Sequence, residues 1–519
     1  MTPPNERHAS GTPAGSGAAA TPSAARRSPL AMDPDQFRAL GHRLIDRIAE
    51  RLAAIPDGPI SRGETAPEVR TALGLGGSLP QEGADPEMLL EHAVRVLFEH
   101  SLFNGHPRFF GYITSSPAPI GMLGDLLAAS VNANVGAFTL APAASEIEVE
   151  TVRWIAELIG YPTTAGGVLV SGGNLANMVC FWAARAARAG WDIRKDGMRG
   201  DGAAPLRVYG SAGTHTWIQK ACDLAGLGTD AMVWVPTDAR ERMDVAQLRQ
   251  LIDADRRAGL RPFMVIGTGG SVSTGAVDAL PEIAALCREA GLWFHVDGAY
   301  GGFAAAVPEA PEDLRALSLA DSIAVDPHKW LYAPLEAGCA LVRDPAHLRG
   351  AFSYHPAYYH LDVDGTNFVD YGPQNSRGFR ALKVWLALRQ VGASGYRTMI
   401  GDDIRLSRRM AEVVRNHPEL ELATQELSIT TFRYVPADLR GRTADERVAA
   451  HLDAVNKEIL VRTQKAGEVF VSNAVIGGRY LLRACIVNFH TDDADVVAAI
   501  DVIARVGGEV DRSLRTGYV

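Results

Sequence analysis

The sequence predicts an α/β protein with a mostly parallel central sheet, a helical arm before it and a small α+β domain after it. Three observations carry this prediction. First, short apolar runs recur from Gly166 onward: Val168-Leu-Val, Leu206-Arg-Val-Tyr, Met232-Val-Trp-Val, Phe263-Met-Val-Ile, Trp293-Phe-His-Val, Ser322-Ile-Ala-Val and Cys339-Ala-Leu-Val. Helical patterns fall between several of them (Ala176 to Gly190, Thr216 to Leu227, Leu280 to Ala290). Continuous apolar strands separated by helices belong to a sheet covered on both faces. Second, Phe37, Leu40, Leu44, Ile45, Ile48 and Leu52 recur at helical spacing and form one apolar stripe near the N-terminus. Third, a helix from Arg380 to Gln390 ends near Val391-Gly392, and after about Tyr396 the pattern becomes helix, strand, helix.

The expected organisation is therefore a disordered leader (1–30), a helical arm (31–110), a large domain (111–395) and a small C-terminal domain (396–519). The leader is rich in Ala, Pro, Ser, Gly and Thr and lacks the apolar centre of a signal peptide. The arm's stripe must pack on something, either a partner subunit or its own chain. No internal repeat is evident.

Bulk composition narrows the function. The chain has 519 residues, 47% hydrophobic and 21% charged, the balance of an ordinary globular protein. A formal charge of −9 argues against nucleic acid as a partner, since phosphate binding needs a basic surface. No apolar run reaches the roughly 18 residues that span a bilayer, so no membrane partner is expected. Five scattered cysteines, never in a C-x-x-C pair, argue against disulfides and bound metal and suit a reducing cytoplasm.

In parallel sheets, ligands bind at the carboxyl ends of the strands. Four such ends carry unusual polar residues. Ser171-Gly172-Gly173-Asn174 opens a helix, where glycines allow close approach and free N–H groups suit an anion. A tight turn is the alternative reading. Asp297 ends a run that should be buried, and a buried carboxylate is costly unless paired; a helix cap or structural ion pair would also account for it. Lys329, in Asp326-Pro-His328-Lys329-Trp, sits between apolar flanks. It either extends its amine to solvent or, if desolvated, becomes a nucleophile. His215 follows another strand, where a histidine is more often a structural residue than a catalyst. Together the four match one chemistry. A carbonyl cofactor with a phosphate tail needs an anion nest, a buried amine, a carboxylate for its ring nitrogen and a flat plate over the ring.

With these residues the chain resembles the group II pyridoxal-phosphate decarboxylases, which include aromatic-L-amino-acid, histidine and glutamate decarboxylases. The motifs are His295-Val-Asp-Gly-Ala-Tyr, Asp326-Pro-His-Lys-Trp, His106-Pro-Arg-Phe-Phe-Gly-Tyr, Ala141-Pro-Ala-Ala-Ser-Glu-Ile-Glu and Ser376-Arg-Gly-Phe-Arg-Ala-Leu-Lys-Val-Trp. The resemblance runs from about Met32 to the C-terminus. It implies the aspartate-aminotransferase fold (fold type I), pyridoxal 5′-phosphate as cofactor, a homodimer, and release of an amine and CO₂ from an L-amino acid.

Residue roles follow from the resemblance. Lys329 carries the cofactor as a Schiff base, and Asp297 keeps the ring nitrogen protonated. His215 stacks on the ring and orients the substrate carboxylate. Gly172, Gly173, Asn174 and His328 contact the phosphate, and Ala299 packs beneath the ring. Phe352-Ser-Tyr-His-Pro-Ala-Tyr358-Tyr359 resembles the family's catalytic loop, with Tyr358 as the acid that protonates carbon after CO₂ leaves; Tyr359 is the neighbouring alternative. Related aldehyde synthases carry phenylalanine at the Tyr358 position, so Tyr358 and His215 favour plain decarboxylation over an aldehyde-forming or transaminating reaction. A non-enzymatic binding protein would have no use for an intact Lys329 and Asp297.

Two departures stand out. Gly270-Ser271-Val272 replaces a common Gly-Thr-Thr, and Asp326 stands where relatives often have asparagine near the phosphate. The resemblance draws the substrate pocket from Tyr112, Ile113 and Ser115, with a neighbouring subunit's Asn132 to Phe138. Aromatic-substrate relatives often have bulkier residues at the Asn134 and Gly136 positions, and Ser376 lies where substrate-linked changes occur. No arginine pair marks an acidic substrate. The reading is an aromatic L-amino acid, with an aliphatic one as the alternative.

Overall fold

The computed structural model describes residues 28–355 and 364–515. Tyr358, Tyr359 and nearly all of the expected leader lie outside the described residues. The arm is formed by α1 (Pro34–Ala54), α2 (Ala66–Ala72) and α3 (Pro86–His100), followed by α4 (Pro119–Val131) and α5 (Pro142–Leu158). Asp33 starts α1 by accepting from the backbone N–H of Asp35 at 2.9 Å, and Pro34 fills the first turn, where an N–H would lack a partner. The α1 stripe is only partly covered by the chain: Leu40 is buried, whereas Phe37 and Ile45 are exposed.

All seven expected runs are strands of one sheet: β1 (Gly166–Val170), β2 (Leu206–Ser211), β3 (Met232–Val235), β4 (Arg261–Thr268), β5 (Trp293–Asp297), β6 (Ser322–Val325) and β7 (Gly338–Val342). Their spatial order is β1-β7-β6-β5-β4-β2-β3. The helices among them are α6 (Gly173–Arg188), α7 (Ile193–Asp196), α8 (Trp217–Leu224), α9 (Val245–Arg257), α10 (Leu280–Ala290) and α11 (Pro327–Trp330), and α12 (Pro345–Phe352) follows β7. Pairs β3–β2, β2–β4, β4–β5 and β5–β6 are parallel, while β7 runs antiparallel to both β6 and β1. The cause is the link between β6 and β7. Helix α11 is a single turn, too short to return the chain along the sheet. Separate apolar clusters cover the two faces, so β1, β5, β6 and β7 are buried along their whole length. Each fully buried Val, Leu or Ile side chain there contributes about 1.5–3 kcal/mol.

The C-terminal part comprises α13 (Ala381–Asn416), β8 (Leu420–Glu426), β9 (Ile429–Tyr434), α14 (Glu446–Ala466), β10 (Ser472–Ile476), β11 (Arg479–Cys485) and α15 (Asp493–Leu514). The expected stop near Gly392 is a break rather than an end. Gly392 leaves helical geometry (φ +68°, ψ 168°), and α13 resumes because Ile400, Ile404 and Met410 bury a second apolar face. The expected single strands are hairpins, joined into an antiparallel sheet ordered β10-β11-β9-β8. The β10–β11 turn is made by Gly477 and Gly478, both at positive φ. This sheet and its helices enclose a core of their own. No helix among the described residues is long and apolar enough to cross a membrane.

Candidate active site

The polar residues that follow β1, β2, β5 and β6 meet at one edge of the large sheet. After β1 the chain turns sharply into α6. Gly172 occupies φ +88°, a conformation that L side chains rarely adopt, and a Cβ there would come 3.3 Å from His328 Cε1. Gly173 is the first residue of α6, so its helix N-terminus opens beside His328 and Asp326. Asn174 is exposed at this edge.

Asp297 ends β5. Its register neighbours are Thr268 on β4 and Ala324 on β6. Oδ2 accepts from Trp217 Nε1 at 2.7 Å, and Oδ1 accepts from the backbone N–H of Ala299 at 3.2 Å. Among the described residues no cationic side chain lies within ion-pair distance of it. A buried carboxylate held by neutral donors but lacking a cation excludes the structural ion pair considered above and invites a cationic ligand.

Lys329 lies in α11, directly after β6, with its side chain 18% exposed. Its Nζ is 3.1 Å from Asp326 Oδ2. His328 Nε2 is 3.6 Å from the same oxygen, and its Nδ1 donates to the Ala337 carbonyl at 2.7 Å. Burial lowers the pKa of His328, with Asp326 opposing the shift. Ser115 Oγ donates to the His328 carbonyl at 2.9 Å, which brings the Tyr112–Ser115 loop to α11. Ile113 and Ser115 are buried there, and Tyr112 is exposed.

His215 follows β2 and is exposed at the rim. Protein atoms around it still lower its pKa; Asp297 opposes the shift and Lys329 reinforces it. That mutual influence places His215, Asp297 and Lys329 in one electrostatic neighbourhood. Asn134 and Gly136 serve the fold in this chain: Asn134 Oδ1 accepts from the backbone N–H of Arg377 at 3.0 Å and of Gly136 at 3.2 Å. Of the two departures, Val272 is exposed and Asp326 is buried in the site.

A family model for the pyridoxal-dependent decarboxylase conserved domain matches residues 70–435. The chain belongs to the pyridoxal-dependent decarboxylases. An aromatic-L-amino-acid decarboxylase of Bacillus atrophaeus is 30% identical over 489 residues, covering 93% of this chain and 98% of the relative. A phenylacetaldehyde synthase of a Rosa hybrid cultivar is 28% identical over 91% of this chain and 94% of its own length. The crystal structure of Oryza sativa TDC with PLP and tryptamine superposes with a TM-score of 0.85, at 28% identity, over 93% of this chain and 99% of that one. The decarboxylase is thus a fold type I carboxy-lyase whose cofactor is pyridoxal 5′-phosphate. The residues present fit that group. A glycine turn at a helix N-terminus would suit its phosphate, a buried carboxylate without a cation its ring nitrogen, and a lysine amine its carbonyl.

Several supporting residues were not singled out from the sequence. Trp217 holds Asp297, and its ring meets His295 edge-on at 5.8 Å. His295, pushed down to about 4 by burial, is neutral. Its Nε2 donates to Asn177 Oδ1 at 2.7 Å, and its Nδ1 accepts from Ser322 Oγ at 2.8 Å. Glu148 and Arg377 form a buried pair, and Arg377 also donates to the carbonyls of Val135 and Leu169. That pair explains why the Ala141–Glu148 and Ser376–Trp385 motifs belong together. Asp403 of α13 accepts from Trp330 Nε1 at 2.8 Å and Tyr332 Oη at 2.7 Å, bracing the segment that carries Lys329. The only sequence signal for these residues is that most lie inside or beside a motif; Asp403, well beyond Trp385, has none.

Proposed function

We propose that this decarboxylase acts on an aromatic L-amino acid and releases the amine and CO₂ without net oxidation. The observation that carries the residue assignment is the placement of Lys329 and a buried, cation-free Asp297 at the ends of the neighbouring strands β6 and β5. Bound pyridoxal 5′-phosphate supplies a carbonyl for amines and a ring that accepts the electron pair left as CO₂ departs. Lys329 offers the amine that holds the cofactor. Asp297, fixed by Trp217 and the Ala299 N–H, keeps a proton on the ring nitrogen. His215 orients the substrate carboxylate perpendicular to the ring, so positioning selects the bond that breaks. Gly172, Gly173, Asn174 and His328 hold the phosphate, and Ala299 leaves room for the ring. Tyr358 is read by resemblance as the acid that returns a proton to carbon. The aromatic assignment is supported by relatives named for aromatic substrates.

The proposal extends to a homodimer. On α4, Leu123, Leu126, Leu127 and Val131 form an exposed apolar stripe, and Phe37 and Ile45 of α1 and Met88 and Leu97 of α3 are exposed as well. A stripe of that size on a helix suits a partner subunit. Five buried free thiols agree with a reducing cytoplasm. Division into an arm (31–110), a large domain (111–395) and a small domain (396–519) is supported by the core inside the C-terminal sheet, although α13 runs across the last boundary and Leu427, Ile429 and Val487 pack into the core of the large domain.

The test is to incubate the purified protein with each proteinogenic amino acid, measuring CO₂ and identifying the other product. CO₂ with an equal yield of an aromatic amine is expected. Amine from only acidic or aliphatic substrates would overturn the substrate class, and aldehyde with peroxide would overturn the reaction. Lys329→Ala should lose the visible absorbance of the purified enzyme.

A further inference from the structure

Arg194 spends most of its side chain on one short stretch of the chain. It lies in α7, which is rooted in the core by Ile193, 2% exposed, and braced where Trp191 Nε1 donates to the Gly197 carbonyl at 2.8 Å. From there the half-buried guanidinium reaches the end of α12. Nη1 donates to the Gly350 carbonyl at 2.5 Å and Nη2 to the Ser353 carbonyl at 2.8 Å. Nε faces Tyr354 Oη at 3.4 Å, and Cζ lies 4.3 Å from the centroid of the otherwise exposed Tyr354 ring. The last carbonyls of a helix lack partners inside it, so a helix cap accounts for the bond to Gly350. It does not account for the rest, because Ser353 and Tyr354 follow the last residue of α12.

Other contacts hold the same stretch. Trp182 of α6 meets Phe352 edge-on at 6.1 Å, and Arg349 Nη1 donates to Tyr371 Oη at 3.1 Å. His355 Nε2 lies 2.8 Å from Asp370 Oδ1. Residues 349–355 thus leave the large sheet along a fixed line. Tyr358 comes three residues after His355. Its Cα must lie within about 11 Å of the His355 Cα, whatever path the chain takes. The anchor of this stem therefore decides which volume the Tyr358 hydroxyl can reach.

We propose that Arg194 is a positioning residue for the reaction: by clamping Gly350, Ser353 and Tyr354 it aims the loop acid at the carbon that CO₂ leaves. This rests on the reading of Tyr358 as that acid. A carbon that is not protonated in time passes its electron pair to dissolved O₂. The carbon–nitrogen unit is oxidised, O₂ is reduced to H₂O₂, and water releases aldehyde and ammonia in place of the amine. The clamp acts on that choice of product and touches neither substrate nor cofactor.

The test uses the cofactor-loaded full-length enzyme in air, with the amino acid it turns over fastest. Amine, aldehyde and peroxide are each measured per CO₂ released. Arg194→Ala should raise the aldehyde-to-amine ratio roughly tenfold, since small misplacements of a reacting group are costly. Arg194→Lys should lie between it and wild type, because an ammonium cannot serve two carbonyls and a ring at once. A wild-type ratio in both variants overturns the proposal. In a Tyr358→Phe background, Arg194→Ala should add no further shift, as expected for a residue that acts through Tyr358; a full additional shift overturns it. If Arg194→Ala does not fold, Tyr354→Ala, which keeps the bonds to Gly350 and Ser353, carries the test, and an unchanged ratio there overturns the clamp. Tyr358→Phe alone separates the two readings. No shift in that variant sinks the loop acid and the clamp together, whereas a shift there with none in the Arg194 variants sinks only the role of Arg194.

Discussion

At the residue scale, the site depends on neutral groups that fix charged ones. Trp217 is the side chain that donates to Asp297, across a 2.7 Å contact. A hydrogen bond to a charged group contributes about 1.5–3 kcal/mol. Trp217→Phe keeps the ring and loses the donor, so kcat should fall roughly 10- to 100-fold with little change in KM. Steady-state kinetics on the preferred substrate check this, and unchanged kcat would assign the orientation of Asp297 to the Ala299 N–H alone. Tyr358→Phe tests the loop acid. Its product should shift from amine towards aldehyde in an aerobic assay, and an unchanged amine yield would move the assignment to Tyr359. The charged and glycine positions were legible in the sequence because each is anomalous where it stands. Trp217, Asn177 and Ser322 were not, because an indole, an amide or a hydroxyl beside an apolar run is unremarkable until the fold brings its partner close.

At the scale of elements, α11 is the critical piece: one turn of helix, braced from behind by α13. Burial pushes the Asp403 carboxyl up to about 7, against the pull of its bonds from Tyr332 and Trp330. The sign follows from linkage. The folded state holds this proton more tightly than the unfolded chain, whose aspartate titrates near 3.9. The associated stability is complete below about pH 4, declines as pH rises and is gone above about pH 7. Asp403→Asn cannot ionise. The wild-type minus variant difference in Tm should therefore fall between pH 5 and 7.5 and flatten beyond; a difference independent of pH would show that Asp403 stays in one protonation state. Strand positions were readable because burial on both faces leaves continuous apolar runs. The reversal of β7 was not, since direction depends on the reach of a connection rather than on periodicity. The resumption of α13 beyond Gly392 was hidden for a similar reason, as a glycine signals a break without revealing whether packing continues after it.

At the scale of the whole molecule, the exposed stripe on α4 has the spacing of a packed helix face without a packing partner among the described residues. In the homodimer proposed above, charging it should separate the subunits while sparing the core. On that proposal, Leu126→Glu with Leu127→Glu is expected to turn a wild-type dimer into a monomer in sedimentation velocity, with loss of activity. A dimer that persists would place the subunit contact elsewhere. The arm's apolar residues were legible as a stripe, yet one sequence could not decide between a contact within the chain and one between chains.

The place of β1 in the sheet has a further consequence, for synthesis. The first strand made pairs with the last, β7, and Gly338 of β7 packs directly against Gly172. A ribosome must add more than 160 residues after β1 before its neighbour exists, and contacts so distant in sequence form late. A nascent chain halted before Gly338 should leave the β1–α6 turn open to protease, and one halted well beyond Val342 should protect it. Protection of the shorter chain would mean that the turn forms without β7. Otherwise, the turn proposed to receive the cofactor is completed only when the ribosome has nearly finished the large sheet.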